Sequence, residues 1–249
     1  MISIVIPALN EEKYIGRLLD SIAQQDFDEG IEIVVADAGS TDATKKIIES
    51  HKRNFFKVLI VKGGMPAVGR NNGAKASLGD PIFFIDADLI IPERDFLKKA
   101  VDYFRKKNLD IAATYLRPDS EWWVDKFLSH LYNIFLQIIK FFRPSGSMCI
   151  AASRELFNKT GGYPEDVVMA EDHDFVNAAS KIGRYGIIPY APIFSMRRFN
   201  KEGRPRVLYK YLLSSLHLIF FGPIKKSIFK YEFGNFDEKH HNERSKTAL

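Results

Sequence analysis

Short apolar stretches rich in β-branched residues alternate with amphipathic segments as far as residue 115. The apolar stretches predict strands, at 2–6, 31–36, 57–61, 81–85 and 111–114. In the segments between them apolar residues recur at helical spacing, which predicts helices, at 11–24, 41–51, 67–77 and 94–106. Strands that alternate with helices are typical of βαβ units, so we predict an α/β fold with a mainly parallel central sheet flanked by helices.

The second half of the chain is richer in long apolar and aromatic stretches. Residues 122–142 have a helical pattern, and residues 207–224 are again apolar and aromatic. Between these regions we predict a short strand, a helix that ends at Gly161-Gly162, and a further helix that starts near Glu171. The polar residues 237–249 are predicted to form a frayed tail.

Composition excludes several classes of protein. With 249 residues and 46% hydrophobic content, the chain can bury one large core and is not disordered. Its single cysteine, Cys149, cannot form an intramolecular disulfide, and no Cys and His spacing fits a structural zinc site. Since the first residues also lack a signal-peptide pattern, we expect a cytoplasmic protein. The net charge of +5 comes from interspersed residues, so nucleic acid is not an expected partner.

Two acidic residues follow the predicted strand at 81–85. Ligands of open α/β sheets bind beyond the carboxyl ends of the strands, so the loops after strands are candidate sites. Asp86 and Asp88 would point to the same side if extended geometry continues, and two carboxylates there suit Mg²⁺ or Mn²⁺. The position after a buried strand distinguishes this pair from other Asp-x-Asp sequences in the chain. The alternative is that both residues only form a turn or a helix cap.

Asp37 and Arg70 are candidates for contacts with a nucleotide. Asp37 follows the strand at 31–36, so its carboxylate could accept a hydrogen bond from a base, or it could form only an Asx turn. Arg70 lies on a predicted helix, where it could pair with a carboxylate or a diphosphate, or lie on a solvated face. Asp42 is interpreted as structural, because an acidic residue favours a helix N-terminus.

An acidic cluster begins the helix predicted near Glu171, where Asp172, His173 and Asp174 follow in sequence. A carboxylate at a helix N-terminus beside a donor site is a candidate general base for a hydroxyl nucleophile. Acidic residues also occur in first helical turns for electrostatic reasons alone, because they interact favourably with the helix dipole.

Five short segments of the chain are weak motifs when each is taken alone. Their occurrence together in this order is a specific signal. They are Ser3-Ile-Val-Ile-Pro-Ala-Leu-Asn-Glu-Glu12, Val34-Val-Ala-Asp-Ala-Gly-Ser-Thr-Asp-Ala-Thr44, Arg70-Asn-Asn-Gly73, Phe84-Ile-Asp-Ala-Asp88, and Gly161-Gly-Tyr163 followed by Glu171-Asp172. Together they resemble the inverting glycosyltransferases of family 2, which have the GT-A fold. The resemblance covers residues 2–198.

The resemblance implies transfer of a sugar from a nucleotide-diphosphate sugar to an acceptor hydroxyl with inversion. It implies that a set of residues binds the nucleotide sugar: Pro7, Ala8, Leu9, Glu11, Asp37, Arg70 and Asp86. It also implies that Asp88, with Asp86, binds Mn²⁺ or Mg²⁺, and that Asp172 is the catalytic base. Residues 1–200 would then form the GT-A nucleotide-sugar-binding and catalytic domain, 201–236 an amphipathic helical extension, and 237–249 a polar tail.

Two positions depart from the family pattern. Ala38 stands where many members have a second aspartate, so the contact with the base rests on Asp37. Ser195-Met-Arg-Arg198 stands where many members have a histidine before a basic residue, so no third metal ligand is assigned. Arg197 or Arg198 is left to hold the diphosphate.

Two aromatic segments of the sequence indicate whether the acceptor is presented at a membrane. Residues 127–142 would form a helix of about 24 Å, which is short of the ~30 Å apolar core of a bilayer. Residues 207–224 also contain charged side chains and are followed by two lysines. Such helices suit a peripheral position on the cytoplasmic surface of a membrane, with a glycan or lipid-linked acceptor. The alternative is that both segments pack on the sheet or on another subunit.

Two other functions compete with the transferase. A sugar-phosphate nucleotidylyltransferase would share the nucleotide and the metal, but its glycine-rich N-terminal loop with a basic residue is absent from the sequence. A non-catalytic module that binds nucleotide sugars or a membrane surface would share the fold without turnover. The presence of Asp86, Asp88 and Asp172 together favours the enzyme.

Overall fold

The computed structural model describes residues 1–225, apart from the side chain of Ile219, and contains two β-sheets flanked by helices. The strands are β1 (Ile2–Ala8), β2 (Ile31–Asp37), β3 (Lys57–Lys62), β4 (Ile82–Ile85), β5 (Leu89–Ile90), β6 (Ile111–Thr114), β7 (Arg117–Pro118), β8 (Cys149–Ala152), β9 (Tyr185–Ile188) and β10 (Ile193–Phe194). The helices are α1 (Ile15–Ala23), α2 (Thr44–Ser50), α3 (Pro66–Ala76), α4 (Phe96–Lys106), α5 (Trp123–Ile139), α6 (Arg154–Thr160), α7 (Glu171–Ala179), α8 (Arg197–Glu202) and α9 (Arg204–Phe220). A short 3₁₀ helix, Lys52–Asn54, follows α2.

The larger sheet has seven strands in the order β3-β2-β1-β4-β8-β6-β9. Pairing is parallel from β3 to β4 and between β6 and β9, while β8 runs antiparallel to both of its neighbours. The predicted mainly parallel sheet flanked by helices is therefore confirmed. A second sheet, in the order β5-β10-β7, was not predicted, because strands of two residues carry no periodic signal.

Apolar cores lie on both faces of the larger sheet. Successive side chains of a strand point to opposite faces, and in β1 Ile4 and Ile6 belong to one buried cluster while Val5 belongs to the other. The first cluster includes α1 and α4, and the second includes α6 and α7. Helix α3 approaches β1 closely at Gly73, where an added Cβ would lie 2.3 Å from Cγ1 of Val5. Burial on both faces holds the carboxyl ends of the central strands in fixed positions.

The first two helices begin later than predicted, because the residues before them form two interlocked loops. The Asn10 amide donates to Ser40 Oγ at 2.9 Å, and the Glu11 amide donates to Thr44 Oγ1 at 2.8 Å. Asp42 accepts from the amide of Glu12 at 3.1 Å and from that of Thr44 at 3.0 Å. The structural interpretation of Asp42 is confirmed, since its carboxylate bonds to amides in the loop after β1 and at the start of α2.

Helices α5 and α9 correspond to the two aromatic segments of the sequence. Their first turns are joined by two hydrogen bonds of 2.8 Å from Arg204 to the buried carboxylate of Asp125. Within residues 1–225, no helix is both long enough and apolar enough to cross a bilayer. The last part of the predicted extension, residues 226–236, and all of the predicted tail, 237–249, lie outside the described residues.

Candidate active site

A cavity of about 620 Å³ opens at the carboxyl ends of the central strands. Of the nine residues predicted from the sequence, eight line it: Pro7, Ala8, Leu9, Glu11, Arg70, Asp86, Asp88 and Asp172. They come from the end of β1 and the loop after it, from the loop after β4, and from α3 and the first turn of α7, which the fold brings to one edge of the sheet. Volumes of 300–1,000 Å³ are typical of small-molecule sites.

The ninth predicted residue, Asp37, stabilises a turn beside the cavity. Its carboxylate accepts hydrogen bonds from the amides of Gly39 and Ser40, each at 3.1 Å, and Nζ of Lys45 lies 3.1 Å away. Burial would raise the pKa of Asp37, but the bonds from Ser40, Lys45 and Gly39 lower it below its usual value. Gly39 has φ of +98°, a conformation that favours glycine. Asp37 therefore forms the Asx turn considered above, and the wall of the cavity here is Ala38.

Arg70 connects two carboxylates across the floor of the cavity. Its guanidinium donates to Asp86 Oδ1 at 2.6 Å and to Glu171 Oε1, and its side chain is only 8% exposed. The alternative of a solvated helix face is therefore wrong, because the arginine is buried and paired. Burial would lower the pKa of Arg70, but Asp86 and Glu171 raise it above its usual range.

Asp86, one of the two partners of Arg70, has a perturbed pKa. Burial raises its pKa to about 6, with Arg70 opposing the shift and Asp88 adding to it. Perturbed carboxyl groups of this kind cluster at functional sites, because burial and like charges are tolerated where binding requires them.

Arg197 forms a second set of ion pairs among the residues that line the cavity. It donates to both oxygens of Glu11 at 2.6 and 2.8 Å, and its Nε lies 3.0 Å from Asp88 Oδ2. Its guanidinium also stacks on Tyr14, 4.5 Å from the ring centroid. Burial raises the pKa of Glu11, while Arg197 lowers it in part. The cation at Arg197 offsets the mutual repulsion of Glu11 and Asp88 before any ligand binds.

Asp172 lies in the first turn of α7, where its half-buried side chain lines the cavity. The helix starts abruptly at Ala170, whose φ of 59° is unusual for a residue with a Cβ. The preceding loop is fixed to α3, since Asn71 accepts from the Tyr163 amide at 2.8 Å and donates to its carbonyl at 2.9 Å. Gly162 is needed beside this contact, because it has φ of +89° and an added Cβ would lie 2.5 Å from Asn71 Oδ1.

The donor atoms around Asp86 and Asp88 decide whether a metal ion can bind there. Within the described part of the chain, no group of three or more His, Cys, Asp or Glu side chains could hold a metal ion. Two carboxylates, Asp86 and Asp88, nevertheless line the cavity together with the loop after β1. Magnesium-like ions are commonly held by one or two carboxylates plus phosphate oxygens of the substrate. The residues therefore fit a divalent cation that arrives with a nucleotide diphosphate.

Three features of the site were missed by reasoning from the sequence. Glu171 was grouped with helix-capping acids, but it is one of the two partners of Arg70. Arg197 was considered only for the diphosphate, yet it already bridges Glu11 and Asp88. The cavity also extends between α5 and α9, which no local motif could have indicated.

Comparison with known proteins gives the family. The protein-family model for glycosyl transferase family 2 matches residues 3–160 of this chain. The chain is 36% identical over 118 residues to the poly(ribitol-phosphate) beta-N-acetylglucosaminyltransferase TarS of Staphylococcus aureus, a match that covers 46% of this chain and 18% of TarS. It is 36% identical over 110 residues to the dolichyl N-acetyl-alpha-D-glucosaminyl phosphate 3-beta-D-2,3-diacetamido-2,3-dideoxy-beta-D-glucuronosyltransferase of Methanococcus voltae, a match that covers 42% of this chain and 34% of that enzyme.

Solved structures have the same fold. The mannosyltransferase PcManGT of Pyrobaculum calidifontis, in complex with GDP-Man and Mn²⁺, has a TM-score of 0.65 at 23% identity, covering 87% of this chain and 64% of that chain. TarS residues 1–349 in complex with UDP have a TM-score of 0.64 at 23% identity, covering 88% and 72%. The chain thus spans 18% and 34% of the curated relatives described above and has the GT-A fold of these structures. Since the family model matches more than half of its length, this chain belongs to glycosyl transferase family 2.

Proposed function

We propose that this protein is an inverting glycosyltransferase that moves a sugar from a nucleotide-diphosphate sugar to an acceptor hydroxyl. The observation that carries the proposal is that Asp86 and Asp88, after β4, and Asp172, in the first turn of α7, line one cavity although they are far apart in sequence. The end of β1 and the loop after it line the same cavity through Pro7 and Leu9. A single displacement can use paired carboxylates to hold a metal beside the leaving group and a separate carboxylate as the base for the acceptor.

Each residue has a distinct role in the proposed reaction. Asp172 accepts the proton of the acceptor hydroxyl as its oxygen attacks the anomeric carbon from the side opposite the leaving group. Arg70 holds Asp86 in place through the 2.6 Å contact, and Asp86 faces the ribose or the diphosphate. Asp88 and Asp86 would hold Mn²⁺ or Mg²⁺, which when bound offsets the charge of the departing nucleoside diphosphate. The sugar leaves the diphosphate with inverted configuration because only one displacement occurs.

The identity of the nucleotide has to be measured, because structurally similar proteins were solved with different nucleotides. TarS was solved with UDP, and PcManGT with GDP-Man and Mn²⁺. We expect thermal-shift assays with UDP-, GDP- and dTDP-sugars to show stabilisation by one nucleotide family. A ligand that binds only the folded state raises its stability by mass action. We expect this stabilisation to require Mn²⁺ or Mg²⁺ and to disappear with EDTA, because the metal is proposed to hold the diphosphate of the donor.

The variant Asp88→Ala tests the metal site in the same assay. We expect the metal-dependent shift to disappear, because one carboxylate ligand is lost. Asp95→Ala is a matched control, since Asp95 is a partly exposed aspartate at the start of α4. A metal-dependent shift that is the same in Asp88→Ala and in the wild type would contradict the proposed site. No shift with any donor at millimolar concentration would contradict nucleotide-sugar binding itself.

We also propose that the protein works at the cytoplasmic surface of a membrane on a lipid-linked acceptor. Helices α5 and α9 each expose an apolar outer face: Phe127, Leu131, Ile134 and Ile138 on α5, and Tyr209, Leu212, Leu216 and Phe220 on α9. Phe141 and Phe142, just beyond α5, are 78% and 82% exposed. Aromatic side chains of this kind insert at the interface of a bilayer. The M. voltae relative, whose name describes a dolichyl phosphate acceptor, supports the proposal.

Vesicle flotation tests the membrane proposal. We expect the wild-type chain to float with vesicles of phosphatidylcholine and phosphatidylglycerol. The variant Phe141→Ser/Phe142→Ser should bind at least about 100-fold more weakly, because burying each of the two phenylalanines contributes about 1.5–3 kcal/mol. Phe56→Ser is the control, since Phe56 is 71% exposed and lies outside both helices. Wild-type protein that stays at the bottom of the gradient would contradict the proposal.

A further inference from the structure

Helices α5 and α9 each have a second apolar face, which lines the cavity instead of facing outward. On α5 it consists of Leu128, Tyr132, Phe135 and Ile139, and on α9 of Leu208, Tyr211, Ser215 and Leu218. These residues recur three or four positions apart, so each set occupies one side of its helix. Two such faces would normally pack together, but here they enclose an extension of the active-site cavity, which we call the α5–α9 groove.

Both ends of the groove are fixed by contacts, between α5 and α9 at one end and between α9 and the segment before α7 at the other. At the first turns, Arg204 binds Asp125 and stacks on Trp122, 4.7 Å from the ring centroid. Towards the end of α9, Leu218 packs with Met169 in a small buried cluster. Met169 is three residues before Asp172 in the chain, so the walls of the groove and the proposed base are parts of one packed unit.

Charged and polar groups line one part of this otherwise apolar groove. Arg143, just after α5, lines the cavity and donates to Asp174 at 2.8 Å. His173 lines the cavity too. A guanidinium and an imidazole together offer N–H donors to an anionic group in the groove.

The acceptor side of the cavity also lies within the electrostatic field of Asp172. Burial raises the pKa of Tyr132, and Asp172 raises it further. The pKa of Tyr211, on the other helix, is raised by burial as well, with a smaller contribution from Asp172. Asp172 lines the same cavity as both walls of the groove, so a molecule bound in the groove can reach the proposed base.

We infer that the α5–α9 groove binds the apolar chain of the acceptor, and that Arg143 with His173 binds a phosphate group joined to that chain. The inference rests on the proposed function, which it deepens by naming the class of acceptor as a sugar carried by a phosphorylated apolar chain. A guanidinium suits phosphate oxygens, and a phosphate has enough acceptor oxygens to bind Arg143 and His173 together. The hydroxyl of the attached sugar then meets Asp172.

Calorimetric titration without any nucleotide sugar tests the groove by itself. The probes are citronellyl phosphate, the alcohol citronellol, the carboxylate citronellate and inorganic phosphate. We expect citronellyl phosphate to bind about 10- to 100-fold more tightly than any of the other three, since a hydrogen bond to a charged group changes affinity by that amount. Equal binding of the alcohol or the carboxylate, or no binding of citronellyl phosphate, would overturn the inference.

Two pairs of variants locate the binding. Leu128→Trp fills the groove, while Leu131→Trp adds the same volume to the outer face of α5, so only the first should abolish binding of citronellyl phosphate. Arg143→Gln removes the cation, while Asp174→Asn breaks the same ion pair and leaves the cation in place. We expect a loss of about tenfold or more only in Arg143→Gln, with Arg143→Lys intermediate. Equal effects within either pair would overturn the inference.

Failure of this inference is distinguishable from failure of the proposed function. Donor binding is measured by the thermal shift with nucleotide sugar and metal, which needs neither Arg143 nor the groove. A normal metal-dependent donor shift without binding of citronellyl phosphate would reject the groove and leave the transferase intact. Binding of citronellyl phosphate without any donor shift would reject the nucleotide-sugar site and retain the groove.

Discussion

Replacement of Asp172 by asparagine is expected to lower the rate of sugar transfer by about 10²- to 10⁴-fold, the usual contribution of a general base. Asparagine has nearly the same shape but cannot accept the proton of the acceptor hydroxyl at neutral pH. The loss should appear in kcat, while stabilisation by the donor and metal should stay close to that of the wild type. Steady-state kinetics with the identified donor, combined with the thermal-shift assay, measures both quantities.

Asp174→Asn is the matched control for this prediction. Asp174 lies on the same helix two residues later, where it is bound to Arg143. Its replacement should change stability more than kcat, because its carboxylate is a partner of an ion pair rather than the proposed base. A kcat that is equal in Asp172→Asn and in the wild type would contradict general-base catalysis. It would point instead to a nucleophile that needs no base, such as a phosphate oxygen.

Replacement of Arg70 by methionine is expected to lower the free energy of unfolding by about 3–5 kcal/mol, the typical result of removing one partner from a buried ion pair. Arg70 is the common partner of Asp86 and Glu171, whose side chains are 30% and 11% exposed. Methionine fills similar space but leaves both carboxylates without a countercharge. Urea denaturation followed by circular dichroism measures the change.

Lys75→Met on the same helix is the control for the stability measurement. Lys75 is exposed in the last turn of α3, and surface substitutions of this kind usually change stability by less than about 0.5 kcal/mol. A second variant, Arg70→Met/Glu171→Gln, should recover part of the loss, because it removes one of the two orphaned charges. A loss below about 1 kcal/mol in Arg70→Met would contradict the prediction and mean that solvent screens Asp86 and Glu171 once the buried arginine is gone.

The two arginines of the site have different positions relative to the proposed reaction. Arg70 lines the cavity and is fixed by carboxylates from the loop after β4 and from α7, so its main effect is to hold Asp86 and Glu171 in place. Arg197 is attached to Glu11 and Asp88, which line the donor side. Because Asp88 is both the partner of Arg197 and the proposed metal ligand, the proposed donor site contains a fixed positive charge in the absence of ligand.

The sequence by itself determined the order of the main strands and helices and most of the loops that line the cavity. Hydrophobic periodicity is a local property, so β1, β2, β3, β4 and β6 were predicted within two residues of their observed ends. Loops after parallel strands converge at one edge of the sheet, so placing Asp86, Asp88 and the loop after β1 in one site needed only the fold class. The helical segments α5 and α9 were recognised for the same local reason.

Only the tertiary structure decided the contacts between residues that are distant along the chain. Arg197 and Glu11 are separated by 186 positions, and Arg70 and Glu171 by 101, so neither pair leaves a local signal. The same holds for the burial of Arg70, which depends on how α3 packs against α7. The α5–α9 groove exists because two helices are joined at their first turns and kept apart beyond them, and periodicity alone cannot distinguish a packed face from one that lines a cavity.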